Sequence, residues 1–222
     1  MRRTLEPEVM DTADDAEEYD AMDFSEPDSR FAETAARLLG SGANRRALDI
    51  GTGTAKIPVL LLRKAPGVRI LAVDMAEQML RVAAKNLERA GIADKCALAR
   101  MDAKALHVPP ESFDLVMSNS LAHHLPDPLA LFCEIARVAR PGGAVLVRDL
   151  IRPETEADAW AIVDRVSPND TARQRQLFFD SLCAALTMEE VRDMVMAAGL
   201  AEAEVIQVSD RHWSVERSWA HA

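Results

Sequence analysis

Between residues 46 and 148 the chain alternates short apolar runs with amphipathic stretches, joined by connections of only a few residues. Residues 46–50, 68–73, 96–100, 113–118 and 144–148 read as strands. Residues 57–64, 76–90 and 128–140 carry helical periodicity, the first with Pro58 in its opening turn and the last stopped by Pro141-Gly142-Gly143. A helix between two strands returns the chain to the edge it left, so such strands pair in parallel and need cover on both faces. The pattern predicts an α/β fold with a doubly wound, mostly parallel seven-stranded sheet and helices on both sides.

The flanks depart from this alternation. Residues 1–23 are rich in acid, from Glu6 through Asp14, Asp15, Glu17, Glu18 and Asp20 to Asp23, with a short helix expected around Tyr19. Ser25-Glu26-Pro27-Asp28 reads as a helix start, with Phe31, Ala35, Leu38 and Leu39 at helical spacing behind it. Residues 154–186 read as one or two helices forming an inserted cap, followed by a helix over 188–198. Residues 204–208 and 212–219 flank Ser209-Asp210-Arg211 and predict an antiparallel C-terminal hairpin. The expected organisation is an N-terminal arm or lid (1–30) and a single domain (31–222) carrying the 154–186 cap.

With 222 residues, 49% hydrophobic and 28% charged, the chain suits one well-buried domain rather than two. No apolar run approaches the roughly 20 residues that span a bilayer. No apolar stretch follows Arg2 and Arg3, so a cytoplasmic protein without a secretory signal or membrane partner is expected. Cys96, Cys133 and Cys183 are too scattered for a disulfide framework or a zinc knuckle. A net charge of −10 disfavours a polyanionic partner, so nucleic acid is not expected. Monomer and homodimer are both compatible with the sequence.

The strongest local signal is Leu48-Asp49-Ile50-Gly51-Thr52-Gly53-Thr54-Ala55, where the first strand runs into glycines that let a ligand approach the backbone. Asp74 ends the second strand twenty-three residues beyond Gly51, where a carboxylate accepts hydrogen bonds from ribose hydroxyls. A dinucleotide fingerprint needs a third glycine at position 56, which is Lys56. That residue, and the lack of a Tyr-x-x-x-Lys pair, argue against a nicotinamide-dependent oxidoreductase.

With Asp49 two residues before Gly51, this segment resembles the first motif of the class I (Rossmann-like) S-adenosylmethionine-dependent methyltransferases, Ala55 standing for its last glycine. Asp74-Met75, Met101-Asp102-Ala103, 113–120 and 139–143 resemble the later landmarks in order, over about residues 44–150. The nearest pattern is the small-molecule branch similar to ubiquinone/menaquinone-biosynthesis methyltransferases. The resemblance implies S-adenosyl-L-methionine as cofactor and Asp49, Gly51, Thr52, Gly53, Asp74, Met75, Asp102, Ala103 and Asn119 as its contacts. Asp49 is expected on the methionyl ammonium and Asp102 on the adenine amino group. The plainer role of each aspartate is a cap or a turn.

On the acceptor side, Asn119-Ser120-Leu121-Ala122-His123-His124 opens at the carboxyl edge of the sheet, making His123 and His124 candidate general bases. Asp127 supplies no credible third ligand for a metal beside them, and no metal is expected. Tyr19, Arg148, Arg211 and Trp213 are candidates for the acceptor pocket, with Arg152, Phe178 and Phe179 near its mouth. The expected reaction is methyl transfer to a small molecule through an unresolved O, N, S or C nucleophile. A methyltransferase acting on RNA or protein and a non-catalytic S-adenosylmethionine-binding protein remain the alternatives; the segment after Asn119 lacks the Asn-Pro-Pro-Tyr pattern suited to exocyclic amines.

Overall fold

The computed structural model describes residues 1–6, 11–42 and 44–220. Seven strands form one sheet: β1 (Arg45–Ile50), β2 (Val68–Asp74), β3 (Cys96–Arg100), β4 (Phe113–Asn119), β5 (Ala139–Leu150), β6 (Glu204–Gln207) and β7 (His212–Arg217). Their spatial order is β3-β2-β1-β4-β5-β7-β6. The first five pair in parallel, and β7 runs antiparallel to both β5 and β6, which is the expected C-terminal hairpin.

Side-chain alternation along the strands divides the core. Leu48, Ile50, Val116, Val145 and Val147 turn to the face covered by α5 (Pro128–Val138) and α8 (Met188–Ala197). Ala47, Leu115, Met117, Ala144 and Leu146 turn to α2 (Ser25–Leu39), α3 (Lys56–Lys64) and α4 (Glu77–Arg89). Both faces are dry, which is why the strands read as near-continuous apolar runs.

The 154–186 segment holds two helices, α6 (Glu156–Val166) and α7 (Ala172–Ala184), around a small cluster of Ala159, Val163 and Leu182 that includes Leu150. Thr155, Thr171 and Thr187 each start a helix (α6, α7, α8) with a reciprocal capping box. One boundary differs from the sequence reading. The expected turn at Pro141-Gly142-Gly143 lies inside β5, which begins at Ala139 and takes up the extra residues as a register shift against Phe113 and Leu115.

Parallel registry aligns the strand ends. Ile50 pairs with Val73 and with Ser118, Asp74 with Arg100, and Asn119 with Arg148. The loops leaving β1, β2, β3, β4 and β5 therefore share one edge. The remaining helix, α1 (Ala13–Ala21), lies at this edge against α4, through Ala16, Ala76 and Met79.

Candidate functional site

The turn after β1 is bent by left-handed residues: φ is 74° at Gly51, 54° at Gly53 and 60° at Ala55. The N–H groups of Gly51 and Thr52 both donate to Val73 O, at 2.9 and 3.0 Å, tying the turn to β2. A Cβ on Gly51 would stand 2.9 Å from Leu121 Cδ2, so a larger residue would have to displace that side chain as well as hold a left-handed φ. Ala55, which stands for the third glycine, takes the glycine-like conformation and is buried.

Three carboxylates gather at this turn with little to neutralise them. Asp49 is only 2% exposed, and its pKa is pushed up to about 7 by burial, with the charges of Asp74 and Asp28 adding to the shift. Asp28, from α2, is pushed up to about 6 by burial, with part of the shift returned by Lys56. Asp74 is also raised by burial, against the pull of its backbone donors. Its Oδ2 accepts from Gly53 N at 2.8 Å and its Oδ1 from Ala76 N at 2.9 Å. Met75 N–H adds a third backbone contribution, and the carboxylate still has capacity for a further donor. Asp102 accepts from Lys104 N at 2.9 Å and lies 3.0 Å from its ammonium. Met75 is half exposed beside the site, Ala103 is buried, and Asn119 closes β4.

The arm covers this turn. A Cβ on Gly53 would meet Tyr19 Cε1 at 3.5 Å, so the phenol lies over the glycine turn. Burial raises the Tyr19 pKa, and Asp28, Asp74 and Asp49 raise it further. Asn86 Nδ2 donates to Asp20 Oδ1 at 2.9 Å and to Thr54 O at 3.0 Å, and Asp11 Oδ1 accepts from Gln78 N at 2.9 Å.

At the other end of the edge, His123 and His124 lie in a short 3₁₀ turn, Ala122–His124. His123 Nδ1 is 2.6 Å from Asp149 Oδ1, and its backbone N–H donates to Asp149 Oδ2 at 3.1 Å. Burial disfavours the imidazolium, but Asp149 and Glu6 outweigh it and the His123 pKa is raised. Glu6 Oε1 stands 3.4 Å from His123 Nε2 and 2.9 Å from His124 Nδ1. Arg3 seats this N-terminal strap, donating to Ala184 O at 2.6 Å, Leu125 O at 2.9 Å and His123 O at 3.1 Å.

The expected acceptor rim is not where the sequence put it. Trp213 lies within β7, wholly buried against Phe132, because its registry with Asp149 turns it into the core. Arg148 approaches Glu216 at 3.6 Å with its guanidinium over Phe31. Arg152 pairs with Glu190 at 2.7 Å and Arg211 with Asp210 at 3.2 Å. Phe179 stacks on Trp160, and Phe178 packs in the cap. These arginines are engaged by the protein's own acids, so none is left as a ready anion receptor. Of the four rim candidates, Tyr19 alone stands over the site. The sequence reading gave Asp28, Lys56, Glu6 and Arg3 no place at a site; of these, Glu6 alone belonged to the acid-rich stretch it noted.

Residues 48–147 match the family described as a methyltransferase domain. The chain is similar to 27-O-demethylrifamycin SV methyltransferase of Amycolatopsis mediterranei, 29% identical over 64% of this chain and 52% of that protein. It is also similar to demethylmenaquinone methyltransferase of Thermus thermophilus, 31% identical over 63% of this chain and 61% of that one. The chain thus spans between half and two thirds of the length of these relatives. In fold it resembles a SAM-dependent methyltransferase from Aquifex aeolicus, with a TM-score of 0.67 at 17% identity, covering 95% of this chain and all of that one. The fold is the Rossmann-like methyltransferase fold, and within it residues 48–147 match a methyltransferase domain.

Proposed function

We propose that this protein transfers the methyl group of S-adenosylmethionine to a small-molecule acceptor. The observation that carries this reading is the desolvated acid cluster of Asp49, Asp74 and Asp28 at the glycine turn. Burying several carboxylates beside one another is unfavourable even with the hydrogen bonds they keep, and a cation relieves it. S-adenosylmethionine brings an ammonium and a sulfonium, whereas a dinucleotide pyrophosphate brings more negative charge. The donor set fits the former.

In this reading Asp49 receives the methionyl ammonium, Asp74 the ribose hydroxyls and Asp102 the adenine amino group. The Gly51–Gly53 backbone admits the ligand closely, and Met75 and Ala103 line the adenine side. The cofactor supplies a sulfonium-bound methyl group for in-line displacement. The protein's share is to align the acceptor with it and to keep water out. Tyr19 and α1 supply the cover. Neither histidine is assigned as a base in the closed arm, because Asp149 and Glu6 face their ring nitrogens.

The acidic surface and the names of the relatives favour a small molecule over nucleic acid. The test is release of S-adenosylhomocysteine with a panel of phenolic, quinol, amine and thiol metabolites, beside tRNA and protein. Turnover is expected on a metabolite. Faster methylation of tRNA or protein than of every metabolite would overturn the acceptor class, and no turnover on any acceptor despite tight cofactor binding would favour a sensor.

A further inference from the structure

The N-terminal strap completes a constellation at the His123–His124 turn that the methyl-transfer reading does not use. We propose that Glu6, His123 and His124 form a binding site for a divalent transition-metal ion, best suited to zinc, assembled when the strap is seated. One carboxylate and two imidazoles are the donor set of open zinc sites, which leave one position for water or another ligand.

The distances suit such an ion. Metal-to-ligand bonds of about 2.0–2.2 Å in a tetrahedron place neighbouring donor atoms roughly 3.3–3.5 Å apart. Glu6 Oε1 lies 3.4 Å from His123 Nε2, and 2.9 Å from His124 Nδ1, which needs only a small retreat. The three donor atoms lie within 4.8 Å of one another.

The surroundings are also those of a metal site. Asp149 holds His123 Nδ1 at 2.6 Å, the outer carboxylate that fixes a ligating imidazole with its Nε2 directed outward. Ser181 Oγ lies 3.2 Å from Glu6 Oε2. The Glu6 and His123 side chains are 9% and 5% exposed and that of His124 is 24%, so the constellation opens on the His124 side.

The test is a zinc titration of the chelator-treated full chain, read by competition with a chromophoric chelator, without S-adenosylmethionine. A failure here therefore leaves the methyltransferase reading untouched. The expected result is one equivalent of zinc at micromolar affinity or better, with proton release and slower proteolysis of the strap. Glu6→Gln and His124→Ala should each weaken binding at least 10-fold, and Asp149→Asn by about 10–100-fold; His107→Ala should not. Glu6→Gln keeps the side-chain shape, so its folding, checked by circular dichroism, is not at issue. Binding of less than a fifth of an equivalent, or zinc affinity unchanged in both Glu6→Gln and His124→Ala, overturns the proposal.

Discussion

The ammonium of Lys56 donates to the main-chain carbonyl of Asp20 at 2.5 Å and of Met22 at 3.0 Å, tying the first turn of α3 to the end of α1. A lysine where a dinucleotide fold keeps glycine thus ties α1 to α3. Charge-assisted hydrogen bonds contribute about 1.5–3 kcal/mol when buried, and partial exposure here brings that nearer 1 kcal/mol. Lys56→Met should leave the melting temperature of the domain nearly unchanged while speeding amide exchange in α1 several-fold. Exchange in α1 as slow as in the native chain would remove Lys56 from this role.

Asp74→Ala is expected to weaken S-adenosylmethionine binding by roughly 1.5–3 kcal/mol, the cost of losing charge-assisted hydrogen bonds. Asp74 also holds Gly53 N, so the glycine turn loosens with it. Asp74→Asn, which keeps an acceptor oxygen, should lose less. Calorimetry on the two variants separates the lost charge from the lost turn.

Gly51→Val combines an unfavourable left-handed φ with a Cβ clash against Leu121. Strain and overpacking each cost about 1–3 kcal/mol. Urea unfolding should show destabilisation of about 2–6 kcal/mol, less as Leu121 gives way, and cofactor binding should vanish. A Val variant of native stability and affinity would contradict the geometry.

The acid cluster also gives the ligand-free protein a pH signature. Asp49 and Asp28 have folded pKa values raised above those of the unfolded chain, so the native state binds more protons between about pH 4 and 7. Stability then falls as pH rises through that window. Asp49→Asn should flatten the fall and raise the melting temperature at pH 8 without ligand. An identical pH profile for native and variant chains would show that Asp49 is not desolvated.

The alternation of strand and helix was legible because period and length alone decide it. The glycine turn and Asp74 were legible because their chemistry is local. What could not be read lies in contacts between distant residues. Glu6 meets His123 and His124 across more than a hundred residues, and Arg148 meets Glu216 across β7. Arginines near a strand end suggest an anion site only until their partners are known. Trp213 followed a turn-like Ser-Asp-Arg and was taken for a rim residue, but strand registry turns it inward. No spacing rule links Glu6 to His123, so the proposed ligand set is not legible in the sequence.

In the proposed reading the Asp49–Asp74 turn receives a cationic methyl donor. Isothermal calorimetry of the purified chain with S-adenosylmethionine, S-adenosylhomocysteine and NADH tests it most directly. One-to-one binding of the first two, a raised melting temperature with each, and no measurable heat with NADH are expected. NADH binding without S-adenosylmethionine binding would contradict it.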